Sequence, residues 1–262
     1  MLYALGVGAG TDDLSFTTEN SAGVTLRVLP TMAVVLGAGG FSALSHVGSF
    51  DPAMLVHGEQ AITLLGEIPT AGEVTTIGEI TEIWDKGSGA VVVAESTSTL
   101  VGHEDPLFTN RSTVFLRGAG GFGGERGPSG ARVGLPDRDP DHVLTMPTRD
   151  DQALLYRLSG DRNPLHSDPA FAALAGFDRP ILHGLCTFGF AGRALLQVLC
   201  GDDPSRLASV EGRFSAPVYP GEQLTVHVWH SGESEALFRT TASGVGEADR
   251  LVISAGRVTL AS

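Results

Sequence analysis

The segment Phe50-Asp51-Pro52, running on to Leu55-Val56-His57-Gly58, returns later in the chain as Phe177-Asp178-Arg179-Pro180-Ile181-Leu182-His183-Gly184. An echo at so long a period means two duplicated domains rather than a stack of short repeats. Each copy reads as a helix followed by a run of strands. In the second copy the helix is the apolar stretch Leu185–Leu199, with Gly192 as its one interior weak point. Strands are expected over Ser209–Ser215, Gln223–His230, Ala236–Ala242 and Arg250–Leu260. In the first copy a helical pattern covers Asp51–Leu65. Strands follow over Thr75–Trp84, Ala90–Ser98 and Arg111–Arg117, the first two joined by the turn Asp85-Lys86-Gly87-Ser88-Gly89. Ahead of this, residues 11–20 predict a turn of helix and Val24–Leu36 a strand. One helix and several strands per copy point to an α+β layer, the helix lying on a curved antiparallel sheet.

A chain of 262 residues can hold two such units. The boundaries read as 1–118 and 150–262, with the Gly-, Pro- and charge-rich stretch 119–149 as a linker. A net charge of −13 argues against nucleic acid or an anionic membrane as partner. No run approaches the roughly 18 apolar residues of a membrane span. Met1–Gly10 lacks the basic start of a secretion signal, and the C-terminal Leu-Ala-Ser is no peroxisomal address. The two cysteines, Cys186 and Cys200, fall on nearly one helix face and read as buried, reduced thiols. Together these place the protein in the cytoplasm.

Two glycine-rich passages invite a dinucleotide-binding reading, and both fail. Gly37-Ala38-Gly39-Gly40-Phe41-Ser42 has Glu59 at a suitable distance, but serine stands at the third glycine position and strands, not a βαβ unit, come next. Gly118-Ala119-Gly120-Gly121-Phe122-Gly123 fits the spacing, yet Gly124 to Gly130 cannot start a helix, so no phosphate cradle follows. This second passage reads as the start of a flexible linker. No cofactor and no metal are expected.

Chemistry concentrates in Tyr156-Arg-Leu-Ser-Gly-Asp161-Arg162-Asn163-Pro164-Leu165-His166. Pro164 fixes its own φ and biases Asn163 toward an extended conformation, so the string bends rather than continuing a helix. A stiff bend can hold Asp161 and His166 over one small volume, as acid/base chemistry on a water requires. Ser167-Asp168-Pro169 then caps a short helix.

This string resembles the signature of the MaoC-like hydratase 2 family, the (R)-specific 2-enoyl-CoA hydratases. The likeness extends through His46–Pro52, Val56–Gln60, Trp84–Gly89, Gly120–Gly124 and Arg213–Val218. It is similar to the hydratase unit of peroxisomal multifunctional enzyme type 2. The resemblance implies a double hotdog, in which the second copy is catalytic and the first accommodates the acyl chain. It implies reversible hydration of trans-2-enoyl-CoA, or of an acyl-carrier-protein thioester, to the (3R)-3-hydroxyacyl product. Asp161 and His166 would activate the water, Asn163 would orient it, and the Gly184 amide would meet the thioester oxygen. His57, Gly58, Lys86, Arg162, Pro164, Leu165 and Phe214 would line the CoA thioester site. His183 reads as an interior histidine rather than a catalytic one. A homodimer is expected, because exposed sheet edges commonly pair. Two other functions stay open in the same fold. One is an acyl-CoA thioesterase, against which speaks the lack of an acid in Leu185–Leu199. The other is a non-catalytic acyl-thioester binding module.

Overall fold

The computed structural model describes residues 1–38, 43–128, 134–244 and 248–261. Among them nine strands form one antiparallel sheet: β1 (Leu55–Leu64), β2 (Val74–Asp85), β3 (Gly89–Leu100), β4 (Pro106–Arg117), β5 (His142–Pro147), β6 (Leu207–Phe214), β7 (Gln223–His230), β8 (Glu235–Ser243) and β9 (Arg250–Leu260). Their order is β2-β3-β4-β1-β6-β9-β8-β7-β5. Outward from the centre the two halves repeat one plan, β1-β4-β3-β2 on one side and β6-β9-β8-β7 on the other. The halves join where β1 pairs antiparallel with β6, Gln60 opposite Gly212 and Ile62 opposite Val210. The architecture is the expected α+β double hotdog.

The main helix, here α6 (Gly184–Cys200), is buried along most of its length. Phe188, Phe190, Leu195 and Leu196 on it are wholly enclosed, which explains the absence of polar periodicity in its sequence. Gly192 is a close-approach point, since a Cβ there would collide with Cγ2 of Thr31. Cys186 and Cys200 are buried free thiols on this helix.

The first half departs from its sequence reading in two places. Val24–Leu36 is not a strand. It runs unpaired to a 3-10 turn at Pro30–Met32 and the single-turn helix α3 (Ala33–Leu36). Its apolar residues Leu29, Ala33 and Val34 are buried against the core rather than in a sheet. Nor is Asp51–Leu65 helical: a 3-10 turn at Pro52–Met54 leads into β1, which is paired on both sides. Tertiary pairing overrides local pattern here. The echoed segments are therefore not structural equivalents, because the first precedes a strand and the second precedes α6. By chain order, the place of α6 is taken in the first half by short helical pieces, Pro30–Met32, α3 and the 3-10 turn Ala43–His46. Residues 39–42 of the first glycine passage lie outside the described residues.

A polar belt on the sheet meets the end of α3. On the inner face of β4, Phe108 belongs to the main core, Asn110 and Ser112 follow, and Val114 and Leu116 belong to a second, smaller apolar cluster. Asn110 Nδ2 donates to Ala33 O at 3.1 Å, and Ser96 Oγ donates to Gly37 O at 2.9 Å. Gln60 Nε2 donates to Asn110 Oδ1 at 3.1 Å while Ser112 Oγ donates to Gln60 Oε1 at 2.7 Å. The sheet thus adds a second donor to Ala33 O, which already accepts from Gly37 N at 2.8 Å, and supplies one to Gly37 O just past the helix end.

Residues 1–36, counted with the first half in the sequence, pack on the helix of the second. Tyr3, Val7 and Phe16, from α1 (Leu2–Gly6), α2 (Leu14–Thr17) and the link between them, share the core cluster with α6. Cys186 Sγ and Gln152 Nε2 both contact Gly6 O, at 3.3 and 2.6 Å. Gln152 begins α4 (Gln152–Tyr156).

Both ends of the stretch 119–149 are held by the sheet. The carboxylate of Asp85, buried in the β2–β3 turn, accepts from the amides of Gly87, Gly121 and Gly123, each at 2.8 Å. Those bonds hold its carboxyl below the usual aspartate range. The far end of the stretch is β5, which pairs with β7. Among the described residues, no helix is long and apolar enough to cross a membrane.

Candidate active site

The Asp161–His166 string folds as a chain of turns closed by its own side chains. Gly160, at φ 130°, takes a backbone conformation that side chains resist, and it ends the 3-10 turn Arg157–Ser159. Asp161 Oδ1 accepts from Asn163 N at 3.1 Å. Asn163 Oδ1 accepts from Leu165 N at 3.0 Å and so caps the 3-10 turn Pro164–His166. Asp168 then caps α5 (Pro169–Leu174), accepting from Ala170 N at 2.8 Å. The bend expected from Asn-Pro is present, and Asn163 is occupied in building it.

The bend leaves Asp161 exposed and buries His166. His166 Nδ1 donates to Ile181 O at 2.9 Å, which assigns the ring proton to Nδ1 and a free lone pair to Nε2. Burial holds this imidazole below its ordinary pKa and so in the neutral, proton-accepting form. The Asp161 carboxylate and the ring nitrogens of His166 and His183 lie within 4.8 Å of one another. An acid and a histidine five residues apart in sequence thus share one volume.

This trio has the composition of a metal site but not its geometry. The rings of His166 and His183 stack with centroids 3.7 Å apart and planes inclined by 29°. Nitrogen lone pairs lie in their ring planes, so nearly parallel rings cannot aim two of them at one ion.

Around this centre stand residues from both halves. Gly184 opens α6, and its amide is among the first turn of N–H groups that lack an intrahelical acceptor. A Cβ at Gly184 would sit 3.5 Å from the Phe214 ring. His57 of β1 meets Phe214 of β6 edge-on, centroids 5.0 Å apart. Burial lowers the His57 pKa to about 4, against the opposing charge of Asp161. Asp161, His166, Gly184, His57 and Phe214 are therefore neighbours across the β1–β6 seam. Arg162 and Pro164 are exposed on the loop, with Leu165 half-buried beside them.

Two expected lining residues have other engagements. Gly58 is the extra residue of a β-bulge, where the β1–β4 register shifts between His57 and Glu59. The Lys86 ammonium donates to Arg126 O and to Pro128 O and lies over Trp84. The structure thus ties Lys86 to the loop held by Asp85, with none of its hydrogen bonds going to the acid/histidine centre.

His183 was not singled out from the sequence as a site residue. It is buried, and its ring is sandwiched between His166 and Tyr156, whose centroid lies 4.9 Å away. Two histidines in separate motifs, each next to a bend, carried no signal that they would stack.

Comparison with known proteins identifies the family. Residues 1–118 match the model of the MFE-2 hydratase 2 N-terminal domain, and residues 132–250 match that of the MaoC like domain. The 3-hydroxyacyl-thioester dehydratase Y of Mycobacterium tuberculosis is 50% identical over 98% of this chain and 90% of its own. A probable enoyl-CoA hydratase 2 of Dictyostelium discoideum is 40% identical, over 97% and 87%. The crystal structure of a MaoC-like dehydratase from Phytophthora capsici superposes with a TM-score of 0.85 at 32% identity, covering 99% of this chain and 90% of that one. With near-complete coverage at such identities, the chain belongs to the MaoC-like hydratase 2 family.

Proposed function

We propose that this protein adds water reversibly to trans-2-enoyl-CoA thioesters, giving (3R)-3-hydroxyacyl-CoA, at the centre formed by Asp161 and His166. The observation that carries the reading is a neutral His166 with Nε2 free, beside a carboxylate and the open N-terminus of α6. Asp161 and His166 hold one water between them. As the water oxygen bonds to C3, His166 Nε2 accepts its proton, and the C2–C3 π electrons move toward the thioester. The Gly184 amide, aided by the helix dipole, donates to the thioester oxygen as charge grows there. Return of the proton to C2 on the same face completes the addition, and the reverse sequence is the dehydration. Asn163 acts by shaping the bend that presents Asp161.

His57, Gly58 and Phe214, with Arg162, Pro164 and Leu165 of the loop, are assigned to the thioester-binding surface. Lys86 is placed at its periphery. The first half, 1–118, houses the acyl chain and 150–262 the chemistry. The same reading has the reaction in the cytoplasm, two chains pairing, and CoA or an acyl-carrier protein as thiol carrier.

The test is a spectroscopic one. Purified protein is added to trans-2-enoyl-CoA of several chain lengths, loss of enoyl absorbance is followed, and the product is offered to (R)- and (S)-specific dehydrogenases. An (R) product made by the wild type and lost in His166→Ala supports the reading. Release of free thiol instead would replace it with a thioesterase. Binding without either signal would replace it with a binding module.

A further inference from the structure

His183 contacts both members of the acid/histidine pair, each in a different way. Its Nε2 lies 3.2 Å from the backbone oxygen of Asp161, and since a carbonyl only accepts, that nitrogen carries the proton. Its Nδ1 is then a bare lone pair, buried and without a hydrogen-bond partner among the described residues. Its ring stacks on His166 at 3.7 Å and is backed by Tyr156, itself buried and in ring contact with Tyr3 of α1. The residue also immediately precedes α6, so it is tied to a helix buried along most of its length.

We propose that His183 is a positioning residue: its Nε2–H anchors the Asp161 backbone while its face sets the plane of the His166 ring. This deepens the hydratase reading and rests on it for the catalytic consequence alone. A loop whose side chains are mostly exposed gains, through one hydrogen bond to its backbone, a fixed distance from a buried ring. Small misplacements of a reacting pair are costly to the rate. The role requires His183 to remain neutral. Burial and the neighbouring His166 lower its pKa to about 3, consistent with that requirement. Two stacked imidazoles also cannot both carry charge cheaply, so a neutral His183 leaves His166 free to take the proton.

Two variants separate the hydrogen bond from the bulk. His183→Phe keeps a flat ring against His166 and removes the donor. His183→Gln places an amide nitrogen as far from Cα as the imidazole Nε2 and restores it. Both are compared at matched thermal stability and circular dichroism. In His183→Phe, kcat is expected to fall about 10–100-fold with KM within about twofold, and His183→Gln to recover a large part of the loss. Independently of turnover, NMR should show loss of order at the amides of residues 160–163 in His183→Phe but not in His183→Gln. Wild-type kcat and an unchanged loop in His183→Phe would overturn the positioning role, as would equal losses in the two variants. If the wild type hydrates no enoyl thioester, the proposed reaction fails, and the loop amides alone decide the role of His183.

Discussion

At the scale of single residues, the chemistry turns on proton positions. Asp161→Ala and His166→Ala should each lower turnover by roughly 10²–10⁴. The double variant should be little worse than either, because the pair acts as a unit on one water. Steady-state rates on one enoyl-CoA suffice to check both statements. The neutral state of His166 sets a pH limit. Its pKa is held below 6.5 by burial, so the acid limb of kcat/KM should fall below the ordinary imidazole value. A limb above it would contradict the assignment. Stability follows the same sign. His57 and His183 titrate near 4 and 3 in the fold against 6.5 for the free side chain, so the unfolded chain binds more protons on the acid side. Their contribution is complete above about pH 6.5 and drains as pH falls toward 4 and 3. Melting curves from pH 8 to 4 should show this loss, more weakly in His183→Phe. The Asp161–His166 string was legible because its bend is built by local hydrogen bonds. His183 was not, because stacking on His166 depends on two bends meeting in space.

Among elements, β7 and β9 could be read to the residue; β7 runs in an uninterrupted ladder, while β9 keeps its apolar run although its register shifts against both neighbours. The strand β1 was misread as helix for a definable reason. Leu55 faces the smaller apolar cluster, and Gln60 and Ile62 are buried on the inner face. The bulge at Gly58 switches the parity between them, so no single period of two runs through the strand. The short helical pieces of the same half end against polar side chains of β3 and β4, contacts that no local pattern announces. Asn110→Leu should remove the bond to Ala33 O and one of the two bonds donated by Gln60 Nε2, which keeps Ala61 O, and cost about 1–3 kcal/mol in denaturant unfolding. Gly192→Ala should also destabilise, by about 1–3 kcal/mol, through overpacking against Thr31 rather than stabilise as helix propensity alone would have it.

For the whole molecule, the double hotdog followed from the family resemblance, whereas the echo that suggested duplication joins segments of different structure, and neither the single sheet nor the centre at its seam was visible. No local pattern in β1 or β6 announces that they pair with each other. The division of labour in packing was hidden as well, since Tyr3 and Val7 cover a helix that lies far along the chain. A fragment beginning at residue 134 would expose that helix, and it should bind a hydrophobic dye and lack a cooperative melt. The placement of α1 also bears on the time order of assembly. During synthesis Tyr3 and Gly6 are made well before Cys186 and Gly189, the groups they pack against. That segment must therefore wait, uncovered, until the helix it packs on has been made, so order of synthesis and order of docking run opposite ways.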